Sequence, residues 1–225
     1  MKVPLIEQIR NGLVVSCQAP HGSPLANSGI LAAIAQAAED SGAVAIRAEG
    51  LTNIRAIRRI VKIPIIGLVK RWDDSDIYIT PEISDVLAIS EAGADIVALD
   101  GTDRVRKGGV SAFDFIMAAK SVTMQSLIMA DIDDLKSALT AQEAGADLVG
   151  TTLSGYTIDE VPEGPDLDLV KELSIKLKIP VIAEGRYSSP SQVKEALQKG
   201  ALAVCVGTAI TDPWTVTRRY VKAIK

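Results

Sequence analysis

Eight short runs of almost unbroken apolar residues recur along the chain, at 13–17, 43–46, 65–69, 96–99, 126–129, 148–150, 181–183 and 203–206, with helical patterning between them. A strand with one wet face alternates apolar and polar side chains, whereas a strand covered on both faces does not. The runs therefore predict parallel strands enclosed by helices. Helix starts are marked at Thr80-Pro81-Glu82, Ser189-Pro190 and Asp212-Pro213, where a capping side chain precedes a proline at the first helical position. Helix stops are marked at Gly42, Gly93, Gly145 and Gly200, each able to turn the chain at positive φ into the next strand.

Those glycines carry an internal repeat. Glu91-Ala92-Gly93-Ala94-Asp95 returns as Glu143-Ala144-Gly145-Ala146-Asp147, with weaker copies at Ser41-Gly42-Ala43 and Lys199-Gly200-Ala201, each just before an even-numbered run. A second echo links Lys62-Ile63-Pro64-Ile65-Ile66-Gly67 with Lys178-Ile179-Pro180-Val181-Ile182-Ala183. A quarter-barrel periodicity fits both and predicts a single (β/α)8 TIM barrel over residues 1–225. The competing open doubly wound sheet places its glycine fingerprint after the first strand, where this chain reads Ser16-Cys17-Gln18-Ala19-Pro20. At 225 residues the chain suits one barrel domain, and no linker-like segment divides it. With 4% aromatic residues, the core must be built from Ile, Val, Leu and Ala.

A net charge of −4 argues against nucleic acid as a partner, because phosphate-backbone recognition needs a concentrated basic face. Pro4, Glu7 and Arg10 interrupt the amino terminus where a signal peptide needs an apolar segment, and no run approaches a membrane span, so a cytoplasmic protein with no membrane association is expected. Cys17 and Cys205 lie inside apolar runs and read as buried small hydrophobes rather than catalytic or disulfide-forming groups. His21, the sole histidine, sits in a Pro/Gly/Ser loop and reads as solvated, which argues against a histidine-based metal site.

In a barrel of this kind the polar residues at the carboxyl ends of the strands converge on one mouth. They are Gln18, Arg47, Lys70 with Arg71, Asp100, Asp131, Thr151 with Thr152, Glu184 with Arg186, and Thr208. Lys70 is either a solvated strand end or, desolvated near other cations, an amine basic enough to take a carbon-bound proton. Glu184 is either half of an ion pair with Arg186 or a working carboxyl group. Gly185 and Gly207-Thr208 fall where such barrels bind phosphate through backbone N–H groups, with Arg186 as an additional cation. Asp100 and Asp131 can in principle hold a divalent ion but more often orient hydroxyls, and no metal is expected.

Taken in order, Val15-Ser16-Cys17-Gln18-Ala19, Ala45-Ile46-Arg47-Ala48, Gly67-Leu68-Val69-Lys70-Arg71, Tyr78-Ile79-Thr80-Pro81, Met129-Ala130-Asp131-Ile132, 150–157 (Gly-Thr-Thr-Leu-Ser-Gly-Tyr-Thr) and Ala183-Glu184-Gly185-Arg186 resemble the N-acetylmannosamine-6-phosphate 2-epimerase family of bacterial sialic-acid breakdown, over nearly the whole chain. The resemblance implies interconversion of N-acetyl-D-mannosamine 6-phosphate and N-acetyl-D-glucosamine 6-phosphate by inversion at C2, without cofactor or metal. It implies Lys70 and Glu184 as catalytic residues. It further implies Gln18, Arg47, Asp131, Thr152 and Tyr156 around the open-chain amino-sugar phosphate, with Gly185, Arg186, Gly207 and Thr208 at its phosphate. Where many family members carry an arginine after the Ala-Ile-Thr segment, this chain has Asp212, which lacks that charge but suits a helix cap. The resemblance also implies a homodimer, and segment 214–224 either packs between subunits or covers its own barrel. Two other activities stay open at this level: a Schiff-base aldolase using the rim lysine, and a non-catalytic phosphosugar-binding barrel.

Overall fold

A computed structural model of the chain, describing residues 2–20, 22–72, 77–157 and 161–225, closes the eight runs into one barrel. The strands are β1 (Gly12–Cys17), β2 (Ala45–Glu49), β3 (Ile65–Leu68), β4 (Ile96–Asp100), β5 (Leu127–Asp131), β6 (Leu148–Gly150), β7 (Val181–Glu184) and β8 (Ala203–Val206). All neighbours are parallel, and β1 closes on β8 through Gly12↔Ala203 to Val15↔Val206. The helices are α1 (Lys2–Gln8), α2 (Ser28–Asp40), α3 (Leu51–Arg58), α4 (Ile83–Glu91), α5 (Ala112–Val122), α6 (Leu135–Glu143), α7 (Leu167–Lys176), α8 (Pro190–Gln198), α9 (Thr208–Thr211) and α10 (Pro213–Ala223). No helix among the described residues is long and apolar enough to cross a membrane.

Strand alternation sorts every side chain into one of two apolar layers. Val14, Ala45, Ile66, Leu68, Ile96, Ala98, Leu127, Met129, Leu148, Ile182, Ala203 and Cys205 share the barrel interior. The residues between them face the helices, among them Val15, Ile46, Ile65, Val97, Ile128 and Val149. Leu5 and Ile6 of α1 pack against the interior cluster and close the barrel at the amino ends of its strands. The interior face thus leads upward, two residues at a time, to Arg47 and Glu49 on β2, Lys70 beyond β3, Asp100 on β4, Asp131 on β5 and Glu184 on β7.

The sequence repeat has a physical purpose. Gly42, Gly93, Gly145 and Gly200 all adopt positive φ (93°, 103°, 90° and 102°) after α2, α4, α6 and α8. The repeated aspartates then perform the same task twice. Asp95 Oδ2 accepts the Ile65 N–H at 2.8 Å and pairs with Arg58 at 2.9 Å. Asp147 Oδ2 accepts the Ile128 N–H at 2.8 Å and pairs with Lys120. Each carboxylate ties the amino end of one strand to the next, and to a helix on the outside.

The helix starts divide. Ser189 and Gln192 form a reciprocal capping box with Pro190 in the first turn of α8, and the Asp212 carboxylate accepts the Thr215 N–H at 3.0 Å at the start of α10. Thr80 does not cap a helix: α4 begins at Ile83, with no side-chain cap. Thr80 instead lies at φ 46°, fully buried, and its hydroxyl donates to the Ala98 carbonyl at 2.7 Å and accepts from the Val69 N–H at 3.4 Å. It joins the ends of β3 and β4, where a buried hydroxyl is worth more to the sheet than to a helix end. Strand β2 begins at Ala45 rather than at residue 43, because the Ala43 N–H is used by the Ala38 carbonyl in closing α2. It also runs on to Glu49, past the end of its apolar run.

Helix α10 has no fully buried residue: Trp214, Thr215 and Val216 are half-buried, whereas Tyr220 (74%), Val221 (41%) and, just past the helix, Ile224 (86%) are exposed.

Candidate active site

The side chains at the mouth are organised by a guanidinium that strand alternation aims into the barrel. Arg47 is fully enclosed, and it donates to both oxygens of Asp131 across the barrel, at 3.1 and 2.6 Å. This two-pronged pairing uses the flat fork of an arginine. Its Nη1 also lies 3.0 Å from Glu184 Oε2, an ion pair in which no hydrogen bond of good direction reaches that oxygen among the described residues. Thr152 donates to Asp131 Oδ1 at 2.7 Å. Four sequence-expected residues, Arg47, Asp131, Thr152 and Glu184, therefore form one connected cluster.

Two small features hold it in place. Thr151 Oγ1 donates to the Glu184 carbonyl at 2.8 Å and accepts its N–H at 3.0 Å, fixing the backbone that carries the carboxyl group. At Gly150 a Cβ would come within 2.2 Å of Met129 Cε and 3.1 Å of Asp131 Oδ1, so the missing side chain leaves room for the cluster.

Lys70 follows the last residues of β3, and the Lys70–Ile79 bridge holds it at the rim. Burial is the main force lowering its ammonium pKa, and Arg47 adds to it, while Glu49, Glu184 and Asp131 pull the other way. Burial likewise raises the Glu184 carboxyl pKa; Arg47 opposes this and Asp131 reinforces it. Burial also weighs against the charge on Arg47, but Asp131 and Glu184 outweigh it and raise its pKa, so the guanidinium stays ionised. The mouth therefore holds one permanent cation beside an amine and a carboxyl group that are both pushed toward neutrality, which suits general acid–base chemistry.

The remaining expected residues fall into two groups. Gln18 donates to Ser16 Oγ at 3.1 Å at the end of β1. Gly207 packs so closely there that a Cβ would sit 3.3 Å from Ser16 Cβ, and Thr211 Oγ1 donates to the Ser16 carbonyl at 2.8 Å. Gln18, Gly207 and Thr208 thus share one side of the mouth, next to Gly185 (φ 110°) on the neighbouring turn after β7. Arg186 does not pair with Glu184. Its φ of 60° turns it away, and its guanidinium donates to the carbonyls of Gly164 at 2.7 Å and Ser154 at 2.5 Å, with the Tyr156 ring 5.2 Å below. It thereby ties Ser154 to Gly164.

Other rim residues serve the frame. Arg71 pairs with Asp85 at 3.0 and 2.5 Å. Asp100 is saturated by Thr102, through N–H at 2.9 Å and hydroxyl at 2.7 Å, and by Arg104 at 2.6 Å. Among the described residues no group of three His, Cys, Asp or Glu side chains is placed to hold a metal ion. Both cysteines are free and buried. Burial pushes the Cys17 thiol up to about 12, and burial with the adjacent Glu184 raises Cys205 well above its usual range. His21 lies outside the described residues. Glu49 is absent from the strand-end pattern because the apolar run of β2 stops at Ile46; the signal that finds it is its place two residues beyond Arg47.

Comparison with known proteins places this geometry. A family profile described as "Putative N-acetylmannosamine-6-phosphate epimerase" matches residues 31–225. A protein of Caldanaerobacter subterraneus subsp. tengcongensis with the name "Putative N-acetylmannosamine-6-phosphate 2-epimerase" is 47% identical over 100% of this chain and 96% of its own length. A Klebsiella pneumoniae protein of the same name is 49% identical over 98% and 94%. The solved structure of the N-acetylmannosamine-6-phosphate 2-epimerase from Clostridium perfringens superposes with a TM-score of 0.91, at 40% identity, covering 97% of this chain and 96% of that one. A thiamine phosphate pyrophosphorylase from Pyrococcus furiosus, 20% identical with a TM-score of 0.64, shares the fold alone.

Proposed function

From the premise that the chain belongs to the N-acetylmannosamine-6-phosphate epimerase family, we propose that it is an isomerase interconverting N-acetyl-D-mannosamine 6-phosphate and N-acetyl-D-glucosamine 6-phosphate, and that residues 1–225 form one catalytic unit. The observation that carries the reading is the arrangement of Lys70 and Glu184 around one buried guanidinium: a base and an acid whose charged forms are both disfavoured, flanking a fixed positive charge.

In the open-chain sugar C2 lies beside an aldehyde, so loss of its proton gives an enolate. Neutral Lys70 takes that proton, and protonated Glu184 serves the carbonyl oxygen or the ring-opening step. Arg47, already oriented by Asp131, offers its charge to the developing oxyanion without reorganising. Reprotonation on the opposite face inverts C2. No redox group or metal is needed for this sequence. Gln18, Asp131, Thr152 and Tyr156 line the sugar, and Gly185, Gly207 and Thr208 bind the phosphate through backbone N–H groups, with Arg186, next to Gly185 and bonded to the Gly164 and Ser154 carbonyls, as the adjoining cation. Asp212, engaged as the cap of α10, supplies no cation there.

Turnover of the mannosamine phosphate in deuterated water tests the reading. Deuterium is expected at C2 of the glucosamine product, and Lys70→Ala is expected to abolish the exchange; unlabelled product overturns the mechanism. The unburied apolar residues of α10 further support a homodimer, and the charged substrate suits a cytoplasmic setting.

A further inference from the structure

We infer that Glu49 is a positioning residue for Lys70: its side chain, sent inward at the end of β2 and bonded to the Lys70 backbone N–H, tunes the amine as a base. The inference rests on Lys70 being the proton acceptor proposed above.

Strand alternation provides the placement. On β2, Ala45 faces the interior, Ile46 the helices, Arg47 the interior and Ala48 the helices, which sends Glu49 inward. On β3, Ile66 and Leu68 face the interior, while Val69 packs against the helix-facing layer, which sends Lys70 inward as well. The register pairs Glu49 with Leu68, two residues before Lys70. Glu49 Oε1 accepts the Lys70 backbone N–H at 3.4 Å, so the carboxylate reaches across to its neighbour.

The backbone beneath Glu49 is tightly held. Gly50 turns at φ 87° into α3 and donates to the Leu68 carbonyl at 2.9 Å. Asn53 Nδ2 donates to the Glu49 carbonyl at 2.7 Å, and Ser28 Oγ donates to Asn53 Oδ1 at 2.6 Å. With its carbonyl occupied from below, the half-buried side chain is left to face the mouth.

The charged groups that act on the Lys70 amine are Arg47 and Glu49 on β2, Asp131 on β5 and Glu184 on β7. Asp131 is bound on both oxygens by Arg47, and Glu184 is also paired with Arg47, so the guanidinium offsets both. Glu49 makes no such pair with Arg47 and is the acidic group held against the backbone of Lys70 itself. It counteracts burial, keeping the amine protonatable in the range where proton return to C2 is required.

The test is Glu49→Gln, which keeps an oxygen to accept the Lys70 N–H and removes only the charge. The Lys70 ionisation, read by NMR of lysine-labelled protein, is expected to move down by about 0.5–1 pH unit. One limb of the kcat/KM profile is expected to move with it while the other stays. Glu49→Asp is expected to restore most of the shift. An unmoved ionisation with unmoved limbs overturns the inference, as does a raised KM with no shift, which makes Glu49 a substrate ligand instead. Lys70→Ala separates the two proposals. If it still exchanges deuterium at C2, the reading of Lys70 as base fails; if exchange is lost while Glu49→Gln shifts nothing, only the role of Glu49 fails.

Discussion

Removing Asp131 from the Arg47–Asp131–Glu184 cluster strands a charge that burial makes expensive. Asp131→Ala leaves Arg47 with the single contact to Glu184, and such a break typically costs about 3–5 kcal/mol. A urea titration is expected to show a loss of that order together with loss of turnover. Glu184→Gln has the opposite sign. The carboxyl pKa of Glu184 is raised in the folded chain, so its contribution favours the fold below the unfolded value and is lost as pH rises through the folded one. The variant is therefore expected to be inactive yet more stable than the parent at neutral pH, with the gain vanishing in acid; unfolding midpoints at both pH values check it. Such a trade marks a group kept for chemistry rather than stability. These residue types and their strand-end positions were legible in the sequence, because one face of every strand must point into the mouth. The pairing was not. Glu184 and Arg186 are neighbours on paper, yet a positive φ at Arg186 sends the two side chains to different partners, Arg47 and the carbonyls of Ser154 and Gly164.

At the scale of elements, the eight strands were legible because each is dry on both faces, and β6 and β8 fall on their apolar runs residue for residue. The misjudged places are those where a polar residue continues a strand, as at Glu49, or where a hydroxyl has two competing uses, as at Thr80. The two outcomes make separable predictions. Ser189→Ala removes a true cap from α8 and is expected to cost about 1 kcal/mol, read as a lowered unfolding midpoint. Thr80→Val leaves the Ala98 carbonyl without its donor in a fully buried position, so it is expected to cost about 1–3 kcal/mol and to disturb the adjoining Lys70–Ile79 bridge. The kinetic signature separates them: Ser189→Ala keeps its turnover in the folded range, whereas Thr80→Val lowers kcat at temperatures where the protein is still folded.

For the whole molecule, α10 is the element the barrel does not explain. An amphipathic helix is normally kept by the apolar face it buries, but α10 fully buries none of its side chains, and Tyr220, Val221 and Ile224 remain open to solvent in a single chain. Its start is fixed by Asp212 and Pro213, next to the Gly207–Thr211 turn at the mouth, so a second copy seated on α10 would also steady that side of the proposed phosphate site. Val221→Glu with Ile224→Glu places two carboxylates on this face without removing any buried contact in the single chain. Light scattering is expected to show the parent at twice 23.8 kDa and the variant at 23.8 kDa. Because the monomer keeps Lys70 and Glu184 but loses the support beside Gly207, KM for the phosphosugar is expected to rise more than kcat falls. A parent that is already monomeric, or a variant that remains dimeric, removes α10 from the interface.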